Sequence, residues 1–167
     1  MEIRKILKWG LIFFVVTLLW SLFEKWMGWH GERISQHAQY ANLYDILFAG
    51  IYVLAFRDGK RKAVPGSFTF RQGILYGATL TGIITLLSPL IQTVIHSWIS
   101  PEFFPNVIQL ATDNHILSPE EAQAKFNLGN YIVENLIGTF LLGLICTLLL
   151  ALLFRTRSAK VAIDQGK

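Results

Sequence analysis

Apolar residues run along this chain in four long blocks, separated by short polar segments. Positions 6–23 carry a single charge, Lys8, near their start. Positions 38–56 form a weaker block, interrupted by Asn42 and Asp45. Positions 68–99 and 131–154 complete the set. A membrane-crossing helix needs about 20 mostly apolar residues, so each block predicts one span. At about 1.5 Å per residue the third block comes to about 48 Å, against about 30 Å for the hydrocarbon core. That helix must tilt, kink or project from the bilayer. The predicted fold is all-α: a polytopic membrane protein built as a four-transmembrane-helix bundle, one transmembrane domain over 1–157 with a disordered tail at 158–167.

The polar segments carry their own local signals. Residues 24–37 read as a short link, and Asp58-Gly59-Lys60 to Pro65-Gly66 within 57–66 as a tight connection. The long segment 100–130 predicts two short helices, near 101–111 and 119–127. Ser100-Pro101 has the pattern of an N-cap followed by Pro at the first helical position. Ser118-Pro119-Glu120-Glu121 adds a Glu at the third helical position, which makes a capping box.

Charge then sets the orientation. Eleven of the fifteen Lys and Arg residues fall in three clusters: Arg4, Lys5 and Lys8; Arg57, Lys60, Arg61 and Lys62; Arg155, Arg157, Lys160 and Lys167. Arg71 joins the same side, and Lys25, Arg33 and Lys125 lie opposite. Basic residues favour the cytoplasmic side, so both termini and the 57–66 loop are expected in the cytoplasm, with the short helices of 100–130 outside. Trp9 falls at the predicted inner boundary. Trp26, Trp29, Tyr40, Trp98 and Tyr131 fall at the outer one, where amphipathic rings are enriched.

Composition agrees with lipid as the main solvent. Hydrophobic residues make up 53% and charged residues 16%, well under the roughly 25% of a typical soluble domain. The net charge of +4 sits at the ends of apolar runs rather than on one face, which argues against nucleic acid as a partner. Cys146, the one cysteine, excludes an internal disulfide. Arg4, Lys5 and Lys8 before an apolar stretch imitate a signal peptide. No small-residue cleavage site follows, so 6–23 reads as a retained helix.

Several local strings are similar to those of a bacterial family called domain of unknown function 4199. They are Phe56-Arg57-Asp58, Ser67-Phe68, Gln72-Gly73, Ile99-Ser100-Pro101-Glu102-Phe103-Phe104 and Leu117-Ser118-Pro119-Glu120-Glu121, closed by a last helix ending at Arg155. Their order and spacing cover nearly the whole chain. The resemblance implies a four-helix protein of the inner membrane. It carries no activity and no catalytic residues.

Candidate chemistry comes from polar groups in costly places. Asp45 lies about 10 Å into the second span, Glu134 about one turn into the fourth, and His96 about one turn before the outer end of the third. Ionisable groups at such depth are functional candidates. Together with Glu24, which ends the first span, they would line one outward-facing vestibule. Pro89 cannot donate to the carbonyl of Thr85 and predicts a kink. Gly73 and Gly77, followed by Ala78 and Gly82, make a small-residue face on which a second helix can sit closely.

His30-Gly31-Glu32 with His37 is a weak metal pattern, because a site needs three or four converging ligands. No metal and no cofactor are therefore expected. No nucleophile elbow, P-loop or dinucleotide fingerprint is present. The expected function is that of a non-enzymatic accessory or scaffold subunit, partnered by the bilayer and by further copies or other membrane subunits. The competing expectation is a small oligomeric transporter or channel using Asp45, Glu134 and His96.

Overall fold

The computed structural model describes residues 3–61 and 68–156. The predicted tail and positions 62–66 of the inner loop lie outside these. The described residues form helices α1 (Ile3–Trp26), α2 (Ile34–Tyr40), α3 (Leu43–Arg61), α4 (Phe70–Val94), α5 (Phe103–Asp113), α6 (Pro119–Lys125) and α7 (Leu128–Phe154), with no strand among them. A π-helical turn, Ile95–Ile99, extends α4. The fold is all-helical. Three helices are long and apolar enough to cross a membrane: α1, α4 with its π extension, and α7.

The second block behaves differently from the other three. Its first residues, 38–40, end the separate helix α2, which begins at Ile34 within the expected 24–37 link, and the chain turns at Ala41 and Asn42 before α3 begins at Leu43. At its other end α3 runs on through Arg57, Asp58, Gly59 and Lys60, where a loop was expected. This end is anchored: Asp58 accepts hydrogen bonds from Lys8 Nζ and Trp9 Nε1, both at 3.0 Å. Asp45 and the charged last turns leave α3 less apolar than a typical span.

Helix α4 is the hub, packed along α7 and against α1. Lipid tails are as apolar as Leu, so close packing rather than water exclusion holds such helices together. The close approach is visible at Gly77: a Cβ there would stand 2.5 Å from Thr147 Cγ2 and 2.8 Å from the Phe56 ring. Gly73 meets Ala151 in the same way, at 2.9 Å. The small-residue face thus serves α7 of the same chain over Gly73 and Gly77. Ala78 is exposed, and Gly82 has open space around it. Inside the interface a polar chain is satisfied: Tyr52 Oη lies 2.9 Å from Thr81 Oγ1, which lies 3.4 Å from Thr147 Oγ1. The Tyr76 hydroxyl donates to the Ala55 carbonyl at 3.0 Å.

Helix ends follow local chemistry. Thr69 and Gln72 form a capping box at α4, and Ser118 and Glu121 form the one predicted at α6. Helix α5 departs from expectation. It starts at Phe103 after an uncapped Glu102, not at Pro101, because the Ser100 hydroxyl is engaged by His30 Nδ1 at 2.7 Å. Helix α4 continues through Pro89 to Val94, and the Thr93 hydroxyl donates to the Pro89 carbonyl at 2.8 Å. The departure from α geometry comes later, at the π turn.

Candidate functional site

Two polar regions occupy the end of the bundle away from Lys8 and Asp58. The first lies between α3 and α7. Asp45, in the first turn of α3, and Glu134, in the second turn of α7, line one cleft of about 490 Å³. Tyr44, Asn135 and Thr139 contribute its other polar groups, and no basic residue lines it. Neither carboxylate forms an ion pair among the described residues. The cleft shares Tyr44, Asn135 and Thr139 with a smaller cavity of about 110 Å³ in the middle of the helices. Thr17, Trp20, Ser21, Ser88 and Gln92 line that cavity, and Trp20 Nε1 and Ser21 Oγ have no hydrogen-bond partner. Such orphaned groups leave hydrogen-bonding capacity turned towards this cavity.

His96 is not part of this cleft. The π turn directs its ring onto Phe104 at 4.5 Å, Phe103 at 4.9 Å and Tyr131 at 5.5 Å. Its Nε2 meets Gln92 Oε1 at 3.2 Å, while Nδ1 is buried without a partner. Pro89 lines neither cavity. The expected vestibule therefore divides: Asp45 with Glu134 in one place, His96 in another and Glu24 in a third.

Glu24 belongs to the second region, just beyond the end of α1. Gly28 takes φ +80°, a left-handed conformation that costs glycine little. The Trp29 amide donates to the Glu24 carbonyl and the Gly28 amide to that of Lys25, which is the Schellman arrangement. The chain folds back on itself there. His30 Nε2 comes to 3.5 Å from Glu24 Oε2, and His37 Nε2, from α2, to 4.0 Å from Glu24 Oε1. One donor atom from each of the three lies within 4.8 Å of the others.

This cluster is tightly walled. Glu24 and His30 are buried, and His37 is partly open. Phe103 sets its ring edge-on to His30 at 5.2 Å and His37 at 5.1 Å. Asn106 Nδ2 donates to the His30 carbonyl at 2.8 Å and ties the link to α5. Trp29 stacks on Tyr40 at 4.4 Å, closing the turn against α2. Burial holds the His37 imidazole below its ordinary pKa, against the pull of the Glu24 carboxylate. Glu32, named in the sequence pattern with His30 and His37, is exposed and stands outside the cluster. The signal for Glu24 was Gly28, four residues on: a helix-ending glycine that reverses the chain over the last turn.

Comparison with known proteins now bears on both regions. A family model described as "Protein of unknown function (DUF4199)" matches residues 8–156. The chain belongs to the DUF4199 family. No curated protein matches it, and no solved structure does. The matched stretch of this DUF4199 chain takes in Glu24, His30, His37, Asp45, His96 and Glu134.

Proposed function

We propose that this protein is a four-span component of the bacterial inner membrane, with both termini cytoplasmic, acting as a non-enzymatic accessory or scaffold subunit. Helix α3 is the fourth span. Its 19 residues come to about 28 Å, of which the last turn, from Arg57, reaches into the headgroups. It runs antiparallel beside α1: Asp58 meets Lys8 and Trp9 at one end, and Tyr44 Oη lies 2.6 Å from Thr17 Oγ1 at the other. Arg57, Lys60 and Arg61 then stand at the headgroup level, where basic side chains are favoured on the cytoplasmic side. Trp26 and Trp98, each 81% exposed, stand at the outer level.

Orientation has a direct test. In a Cys146→Ala background, a cysteine at Gln123 should react with an impermeant maleimide from outside intact cells. One at Arg61 should react only after the cytoplasmic side is opened. Equal labelling of both from outside would overturn the four-span arrangement.

The scaffold role rests on one observation: Asp45 and Glu134 line an open cleft that no basic side chain lines. Carboxylates at membrane depth need a counter-charge, a proton or water. A transmembrane helix of another subunit, carrying a Lys, Arg or polar residue, would fill the α3–α7 cleft and supply it. A photo-crosslinking residue at Leu141, on the cleft wall, should capture such a subunit in native membranes. Asp45→Asn with Glu134→Gln should reduce the adduct at least several-fold. Absence of any adduct from the native protein would remove the scaffold reading.

The continuity of the cleft with the central cavity favours a second reading, a small oligomeric transporter. In that case the same double variant abolishes proton or cation flux in liposomes, and the native protein supports it.

A further inference from the structure

We propose that Glu24, His30 and His37 bind a divalent transition-metal ion of the Zn²⁺ type, through the Glu24 carboxylate and two imidazole Nε2 atoms. The spacing of the donors carries this. A hydrogen-bonded imidazolium–carboxylate pair closes to about 2.7–2.9 Å. Here the separations are 3.5 Å, from His30 to Glu24 Oε2, and 4.0 Å, from His37 to Glu24 Oε1, both longer than such a pair. Donors about 2.05 Å from a shared tetrahedral ion stand about 3.3 Å from one another. One donor atom from each residue lies within 4.8 Å of the others, so the three surround a gap wider than such an ion requires and would close on it.

The outer shell points the same way. A metal-binding histidine commonly engages its other ring nitrogen in a hydrogen bond, which orients the lone pair towards the ion. His30 does so: Nδ1 is engaged by Ser100 Oγ at 2.7 Å, and Nε2 faces Glu24. Ser100 is fully buried and caps no helix, so orienting His30 is the role its hydroxyl has. The cation next to Glu24 in sequence is engaged elsewhere. Lys25 pairs with Glu102 at 3.2 Å and donates to the Ile99 carbonyl. Two imidazole nitrogens and a carboxylate suit Zn²⁺ and its neighbours, whereas Ca²⁺ and Mg²⁺ need more oxygen ligands. Three protein donors leave the fourth tetrahedral position open, and the partly exposed His37 side gives water or a small anionic ligand access to it.

The test uses the full-length, tag-free protein in lipid nanodiscs, stripped with chelator and titrated with Zn²⁺ by calorimetry. One ion per chain should bind with micromolar affinity or tighter, releasing heat that Ca²⁺ does not reproduce. His37→Ala and Glu24→Gln should each weaken binding by more than about tenfold, and Ser100→Ala by about tenfold through loss of the outer-shell contact. Glu32→Gln and His115→Ala, at exposed residues outside the cluster, should leave it unchanged. As a readout free of folding effects in the variants, Co²⁺ loaded into the native protein should show the intense visible absorption of a tetrahedral site, displaced by one equivalent of Zn²⁺. No saturable Zn²⁺ binding, an octahedral Co²⁺ spectrum, or affinity equally sensitive to Glu32 or His115 would overturn the proposal. The cluster would then be a proton-sharing network only.

Discussion

Gly77→Ala should destabilise the bundle by about 1–3 kcal/mol, the usual cost of overpacking, although alanine is the better helix former. The new methyl carbon would stand 2.5 Å from both Cγ2 and Oγ1 of Thr147. Rotating Thr147 about its Cα–Cβ bond exchanges its γ substituents and gives little relief. On the other side the Phe56 ring stands at 2.8 Å, and Phe56 is fully buried. Helices α4 and α7 must therefore separate, which also strains the Tyr52–Thr81–Thr147 hydroxyl chain. Gly82→Ala supplies the contrast on the same helix. Nothing lies within 4 Å of its added carbon, so it should stabilise by about 0.5–1 kcal/mol. Unfolding of both variants in mixed micelles measures the pair. Equal effects would show that α4 and α7 do not meet over Gly77. A Gly82→Ala variant of normal stability but altered oligomeric state would identify the open small-residue face as a contact between subunits.

Phe103→Ala should cost about 3–5 kcal/mol of local stability, as large-to-small changes of buried aromatics do. Phe103 is 1% exposed and is the shared wall of two places. Its ring touches His30 and His37 on one side, and His96, Phe104 and Tyr131 on the other. Few other contacts hold the short helices α2 and α5 down, so losing this ring should free both while α1, α4 and α7 remain associated. Hydrogen exchange provides the measurement. Amides of α2 and α5 should lose protection by orders of magnitude, and those of α4 near Ile84 should keep theirs. Phe103→Leu, which retains most of the volume, should fall between. Unchanged exchange over α2 in the alanine variant would mean that Asn106 and the Trp29–Tyr40 stack suffice to hold it.

The three most apolar helices were legible because long apolar runs with a single charge near one end have few alternatives in a short chain. Residues 6–23, 68–99 and 131–154 each became the centre of one helix, within a few residues at either end. The block at 38–56 was less legible. Hydropathy alone does not say where a polar-flecked segment divides, and the turn at Ala41 and Asn42 depends on how Tyr40 stacks on Trp29. The Ser118 capping box was readable because its partners are three residues apart. Ser100 was misread as a cap for the opposite reason: its partner, His30, is 70 residues away.

Periodicity, charge and local capping thus determined by themselves that this chain is helical and strongly apolar, with helices able to cross a membrane and basic clusters at their ends. These properties depend on each residue and its near neighbours, together with the preference of the backbone for internal hydrogen bonds in lipid. Only the tertiary structure decided which polar side chains meet. It joined Asp45 to Glu134 across α3 and α7, turned His96 away into an aromatic cluster, and set Gly73 and Gly77 against α7. It also replaced Glu32 by Glu24 beside His30 and His37, because one left-handed glycine folds the chain back over the helix it has just left. Such encounters follow from the angle at which helices leave their turns and from the volumes that fit between them, which no local pattern in the chain encodes.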